Sequence, residues 1–197
     1  MIIWINGAFG AGKTQSSHEL HRRLPGSFLY DPENVGYFLR NNTPKSLREG
    51  DFQDLSAWRE CNLSILRMLH AKHDGPIIVP MTLVHPAYFD EIIGELRQSG
   101  VEVKHFALLA SKPIILERLR KRREGPNSWA ARQIDRCMAA LSTEKFAQHI
   151  ESDHLSIDQV VEKIGELAGL KLTPDHRGAF RKRVDRIRTQ LKHIRWL

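Results

Sequence analysis

The stretch that most constrains this chain stands near its start: IIWINGAFGAGKTQ, residues 2–15. Gly7, Gly12, Lys13 and Thr14 satisfy the spacing G-x-x-x-x-G-K-[ST]. An apolar run precedes them at 2–5, and a helical pattern follows through Leu20 and Leu24 to the Pro25-Gly26 break. That strand–loop–helix setting is the context in which the spacing carries meaning. Glycines let successive backbone N–H groups turn inward around an anion, and the helix N-terminus adds its positive end. Gly7, Ala8, Phe9, Gly10, Ala11 and Gly12 are therefore the expected cradle for the phosphates of a nucleoside triphosphate. Lys13 supplies a mobile cation for the β- and γ-phosphates, and the Thr14 hydroxyl is placed to ligate Mg²⁺.

The rest of the chain repeats the alternation that begins there. Apolar runs at 27–30 and 76–84, an alternating segment at 101–110 and a weak strand near His149-Ile150 read as further strands. Between them lie helical patterns at 54–72, 86–98, 112–123 and, after the N-cap residue Ser156, at 156–167. The stretch from Gly125-Pro126 to about Ser142 reads as polar. Five alternations predict a three-layer α/β/α fold of the P-loop NTPase kind, with a parallel sheet of about five strands.

At 197 residues with 41% hydrophobic side chains, the chain suits one globular domain. Its longest apolar run is nine residues, half of what a membrane span needs. No basic leader with a cleavage site opens it, so the cytoplasm is the expected compartment. Cys61 and Cys137 lack metal-ligand spacing and read as free thiols. The net charge of +7 is uneven: residues 175–197 carry eight Lys/Arg against two Asp, leaving +1 for residues 1–174. A near-neutral body argues against a nucleic-acid-binding surface.

Candidates for the remaining chemistry follow from position. In ERLRKRR, Arg118 and Arg122 are one helical turn apart, which lets both face one ligand. This spacing resembles the arginine helix that leads into the lid of adenylate-kinase-like enzymes, and implies a lid near 124–142. Arg132 and Arg136 would then close over the γ-phosphate. After the second strand, YDPEN offers Asp31 as general base or holder of a metal-bound water, with Glu33 second. Asp-Pro is equally a helix-start signal. The third strand has no acidic residue at its end, where Thr82 and His85 stand instead. Arg40, Trp58 and Arg59 fall where kinases that this pattern resembles place their acceptor-binding helices, an aromatic and two guanidiniums suited to a ring and an anionic group, and Trp58 also fits core packing.

The tail has one further pattern. Phe180, Val184, Ile187, Leu191 and Ile194 are spaced 4, 3, 4 and 3, an apolar stripe on a helix otherwise covered by Arg and Lys, with Trp196 beyond. Such a helix suits an anionic membrane surface, a partner, or its own domain.

Taken together, WINGAFG, YDPE, DFQ with Trp58-Arg59 after it, IIVPMTLVHP, NSWAARQIDRC and RGAFRKRVDRIRTQLKHIR resemble the tunicamycin-resistance ATP-binding family. The likeness runs from Ile2 to Arg195, and its wider relatives are small-molecule kinases. It implies an ATP- and Mg²⁺-binding protein that protects against tunicamycin, a nucleoside antibiotic carrying sugars and an acyl chain. Phosphorylation of the drug or a related nucleoside or sugar compound, and ATP-gated sequestration without chemistry, are both compatible with these residues.

Overall fold

The computed structural model describes residues 1–192, with side chains through Gln190. Ile194, Arg195 and Trp196 of the expected stripe and motif, and the Leu191 side chain, lie outside the described residues. Strand β1 (Ile2–Gly7) is buried along its whole length. It is flanked by β3 (Ile77–Pro80) and β4 (Val103–Leu109), with β2 (Phe28–Leu29) and β5 (His149–Glu151) at the edges. All pairings are parallel, with Ile3 opposite both Ile78 and Lys104. A central strand covered on both faces must be apolar at every position, which explains why 2–5 alternates neither in sequence nor in burial.

The period of two sorts β1 between two cores. Ile3 and Ile5 face α1 (Lys13–Arg23) and α9 (Ile157–Ala168), meeting Leu20, Leu24, Val160 and Ile164. Ile2 and Trp4 face the other layer, with Trp58 and Leu66 of α3 (Ser56–Lys72) and with Phe89 and Leu96 of α4 (Pro86–Phe89) and α5 (Glu95–Gln98). The helix expected at 86–98 runs through both, with a π-helical stretch at Asp90–Gly94 between them. The expected three-layer fold is the one observed. Each large apolar side chain so buried stabilises the fold by about 1.5–3 kcal/mol.

Three segments differ from expectation. The apolar run 76–84 stops pairing by backbone at Pro80, after which Met81 N–H makes a last bond to Ile5 O at 3.1 Å. Helix α6 (Lys112–Lys121) ends before Gly125, because Arg123 turns into the left-handed region at φ 63°. The stretch read as polar holds α7 (Trp129–Arg132) and α8 (Ile134–Leu141), whose Ala130, Ile134, Cys137 and Leu141 are buried. Those four residues root the segment expected as a lid in the core, leaving 122–128 as its outer part.

Helix α10 (Ala179–Lys192) lies on α1 and α9, and does so polar face first. Arg177, just before it, pairs with Glu19 of α1 at 2.6 Å, with Asp175 and with Asp185. Lys182 and Arg186 reach Asp158 of α9 at 3.1 and 3.2 Å. Asp175 is held well below the usual carboxylate range by the Arg177 bond, despite partial burial. Of the described stripe, Phe180 is 82% and Ile187 49% exposed, while Val184 between them is half-buried. Of the three settings open for this helix, docking on its own domain is realised, through the face opposite the one an apolar stripe suggests. Among the described residues no helix is long and apolar enough to cross a membrane.

Candidate functional site

The phosphate loop bridges the end of β1 and the start of α1. Gly10 and Gly12 have φ of 89° and 106°, left-handed values that a side chain resists. At Gly10 space is short as well, since a Cβ would come within 3.2 Å of Ile115. Ala11 N–H closes the turn on Ala8 O at 3.0 Å. The N-cap of α1 is Gly12, which offers no side-chain cap, so the first N–H groups of this eleven-residue helix stay open to an anion. The loop thus fits a triphosphate.

Lys13 is buried under that loop. Its Nζ donates to Gly7 O at 3.0 Å and Ala8 O at 3.1 Å, and lies 5.3 Å from the Phe9 ring centroid. Burial lowers its pKa to about 8; Glu33, Cys137 and Asp31 act to raise it, and Arg122 to lower it. That set of neighbours maps the site: α2 (Glu33–Asn42), α8 and the end of α6 converge on one ammonium group. Phe9 in turn meets Trp129 edge to face at 4.8 Å, joining the loop to α7.

The acceptor-side candidates sort as follows. Asp31 Oδ1 accepts from Glu33 N–H at 3.0 Å, the helix-start bond, and both carboxylates remain within electrostatic reach of Lys13. Thr82 donates its hydroxyl to Gly7 O at 2.8 Å. His85 caps α4 by its backbone only, while its ring stacks on Tyr88 at 4.2 Å. Arg40 sits in the last turn of α2, two turns from Glu33 on the same helical face. Trp58 is not a wall of the site: it is fully buried and its Nε1 donates to Pro32 O at 3.1 Å. Arg59 is committed to Glu91 and to Gln53 O, and covers the Tyr88 ring at 4.2 Å.

The arginines divide too. Arg118 donates to Ala11 O and to Ser152 O at 3.3 and 2.8 Å, tying the loop to the end of β5. Arg122 lies just past α6, paired with Glu124, and still influences Lys13. Arg132 is exposed and donates to Asn127 O, whereas Arg136 reaches Asp51 at 3.6 Å. The pair 132/136 therefore does not converge on one point as its spacing suggested. Asp51 was missed from sequence. It caps the 3-10 turn Phe52–Asp54, and its side chain is only 13% exposed, facing α8. Its only sequence signal is the DFQ triplet.

Comparison with known proteins supports this geometry. The model of the AAA domain matches residues 2–144. The Deinococcus radiodurans tunicamycin resistance protein is 38% identical in sequence, with 88% of this chain and 98% of that chain covered at a TM-score of 0.76. A sugar kinase from a Janibacter species is 19% identical, covering 86% and 94% at 0.62. Shikimate kinase from Bacteroides thetaiotaomicron is 17% identical, covering 86% and 99% at 0.56. These last two bear on the fold alone. Among curated proteins, none matches in sequence. With a three-layer P-loop fold, an intact phosphate cradle and a 38% identical relative over 88% of its length, the chain belongs to the tunicamycin-resistance family within the P-loop AAA-domain group.

Proposed function

We propose that this protein is an ATP-dependent small-molecule kinase whose acceptor is a hydroxyl of tunicamycin or of a related nucleoside or sugar compound. The observation that carries the reading is the meeting of an open helix N-terminus, a buried lysine and the carboxylates of Asp31 and Glu33. ATP supplies the phosphoryl group: the acceptor oxygen bonds to the γ-phosphorus, the bridge to the β-phosphate breaks, and ADP leaves. Lys13 would exchange two loop carbonyls for phosphate oxygens, and Arg122 would add a second cation at the edge of the site. The Thr14 hydroxyl, with Asp31 through water, would hold Mg²⁺, whose charge would offset that of the phosphates. The hydroxyl proton passes to the Asp31/Glu33 pair, with Asp31 the first candidate. Mass spectrometry of tunicamycin after incubation with protein and Mg·ATP tests this. A gain of about 80 mass units, one phosphoryl group, is expected, and unchanged drug alongside intact nucleotide binding refutes it.

A second reading, ATP-gated sequestration, draws support from the absent acid at the end of β3 and from the helix-start bond of Asp31. It expects Asp31→Ala to keep resistance while Lys13→Ala loses it; the kinase reading expects both to fail. In either reading we place the protein on the cytoplasmic side. The exposed part of the α10 stripe, rimmed by Arg181 and Arg188, suits peripheral contact with an anionic membrane. Sedimentation with anionic liposomes, with and without residues 175–197, decides that point.

A further inference from the structure

Three side chains that the phosphate-loop spacing leaves free, Trp4, Asn6 and Thr82, take over where the backbone ladder between β1 and β3 ends. Trp4 Nε1 donates to Met81 O at 3.3 Å. Asn6 does more. Its Oδ1 accepts from Gly7 N–H at 2.8 Å and Leu83 N–H at 3.0 Å. Its Nδ2 donates to Leu83 O at 2.7 Å and to His105 Nε2 at 3.1 Å. Both lone pairs and both hydrogens are thus used in a side chain with no exposed surface. Gly7 is gripped from its other end as well, since its carbonyl accepts from Lys13 at 3.0 Å and from Thr82 at 2.8 Å.

The fourth bond of Asn6 fixes a protonation state. To accept at Nε2, His105 must carry its proton on Nδ1, which faces Ala147 O at 3.4 Å. Burial keeps the ring neutral and lowers its pKa to about 4; Arg97 and His149 push the same way and the Ala147 carbonyl opposes them. Phe89 and Phe146 close the remaining sides at ring distances of 5.0 and 6.2 Å.

When Lys13 turns from Gly7 O and Ala8 O toward phosphate, Gly7 stays held by Asn6 on its N–H and by Thr82 on its carbonyl. Both holders are anchored in 81–83, and the chain runs on from there to His85 and the acceptor rim. We propose that Asn6 is a positioning residue of the nucleotide site, through which occupancy of the phosphate loop is transmitted to the segment 81–85. This rests on the kinase reading only for the meaning of 81–85 as acceptor wall; the coupling is a property of nucleotide binding.

The test uses the full chain and Mg·AMPPNP as probe. In the wild type, binding should shift the Asn6 side-chain amide, the Leu83 N–H and the His105 ring nitrogens in NMR spectra; unmoved signals at saturation overturn the proposal. In Asn6→Asp, the introduced carboxylate still accepts from Gly7 and Leu83 but faces Leu83 O where a donor stood. His105 can then donate to it from Nε2, either as the Nε2–H tautomer or as the charged ring. In the variant His105 should carry a proton on Nε2, the nitrogen that accepts from Asn6 in the wild type, as read from the ring-nitrogen shifts. Its Kd for Mg·AMPPNP should be about tenfold weaker than wild type at pH 7.5, and that ratio should shrink at pH 5.5. An Nε2 without a proton or a pH-independent ratio overturns the proposal, as does wild-type affinity throughout. If the variant does not fold, the wild-type shifts decide alone. Failure to transfer phosphate with these signatures intact refutes the kinase reading and leaves the positioning role standing.

Discussion

Binding of nucleotide should draw a proton onto Lys13. In the unliganded protein burial lowers its pKa to about 8, against an ordinary value of 10.5. A bound triphosphate places several negative charges beside the same ammonium group and returns it to full protonation. The uptake on binding should then be near zero at pH 6.5, about half a proton at pH 8 and about nine-tenths at pH 9. By the same linkage the apparent Kd should weaken about tenfold between pH 7 and pH 9, or roughly 1.4 kcal/mol. The surrounding groups do not imitate this: Glu33 and Asp31 are carboxylates, Arg122 is a guanidinium, and burial pushes the Cys137 thiol up. Calorimetric titration with Mg·AMPPNP in buffer pairs of matched pH and different ionisation enthalpy measures the proton directly. Lys13→Arg, charged throughout, should bind without the slope. Zero uptake at pH 9, or an equal slope in the arginine variant, refutes the reasoning. Folding should respond in the opposite sense. Between pH 8 and 10.5 the unfolded chain holds the lysine proton that the unliganded fold gives up, so this group makes stability rise with pH there.

Further outcomes follow from the geometry. Gly12→Ala should destabilise the unliganded fold by about 1–2 kcal/mol in urea titration, because its φ of 106° is strained while the methyl would meet only Ile157 at 3.5 Å. Arg177→Ala removes the shared partner of Glu19, Asp175 and Asp185; amide exchange in α10 should accelerate as if about 2 kcal/mol of docking were lost. Added salt should loosen wild-type α10 in the same direction, whereas docking through an apolar face would resist it. Trp129 is half-exposed against Phe9, while Trp4 and Trp58 are fully buried. In a Trp196→Phe background, a nucleotide-dependent change in emission should therefore vanish on adding Trp129→Phe.

The parts of this fold legible in sequence are those written locally. The phosphate loop needs glycine where the backbone turns left-handed, and buried parallel strands need unbroken apolar runs, so both leave marks within a few residues. Helices α7 and α8 left one too: Ala130, Ile134, Cys137 and Leu141 are spaced four, three and four. Small size and the charges of Arg132, Asp135 and Arg136 between them masked it. The side-chain assignments stayed open in sequence for a different reason. Whether Trp58 faces a ligand or Pro32 O, and whether Arg59 is free or held by Glu91, depends on elements about thirty residues away. The direction of the tail stripe depends on Glu19 and Asp158, carboxylates that no local pattern around Phe180 announces.

One oxygen fixes what this scaffold can become. The Gly7 carbonyl takes the Thr82 hydroxyl at 2.8 Å and Lys13 at 3.0 Å, so the position at the tip of β3 must donate. A carboxylate there, the group by which motor ATPases polarise water, would set acceptor against acceptor at the base of the loop. Substituting Thr82 by aspartate therefore does not add a hydrolytic function to an otherwise complete site; it unseats Gly7. Under the proposed kinase reading, the chemistry open to descendants of this chain would lie in the choice of acceptor, for which Glu33, Arg40 and the Tyr88 rim are the candidates, while the donor end is closed to revision.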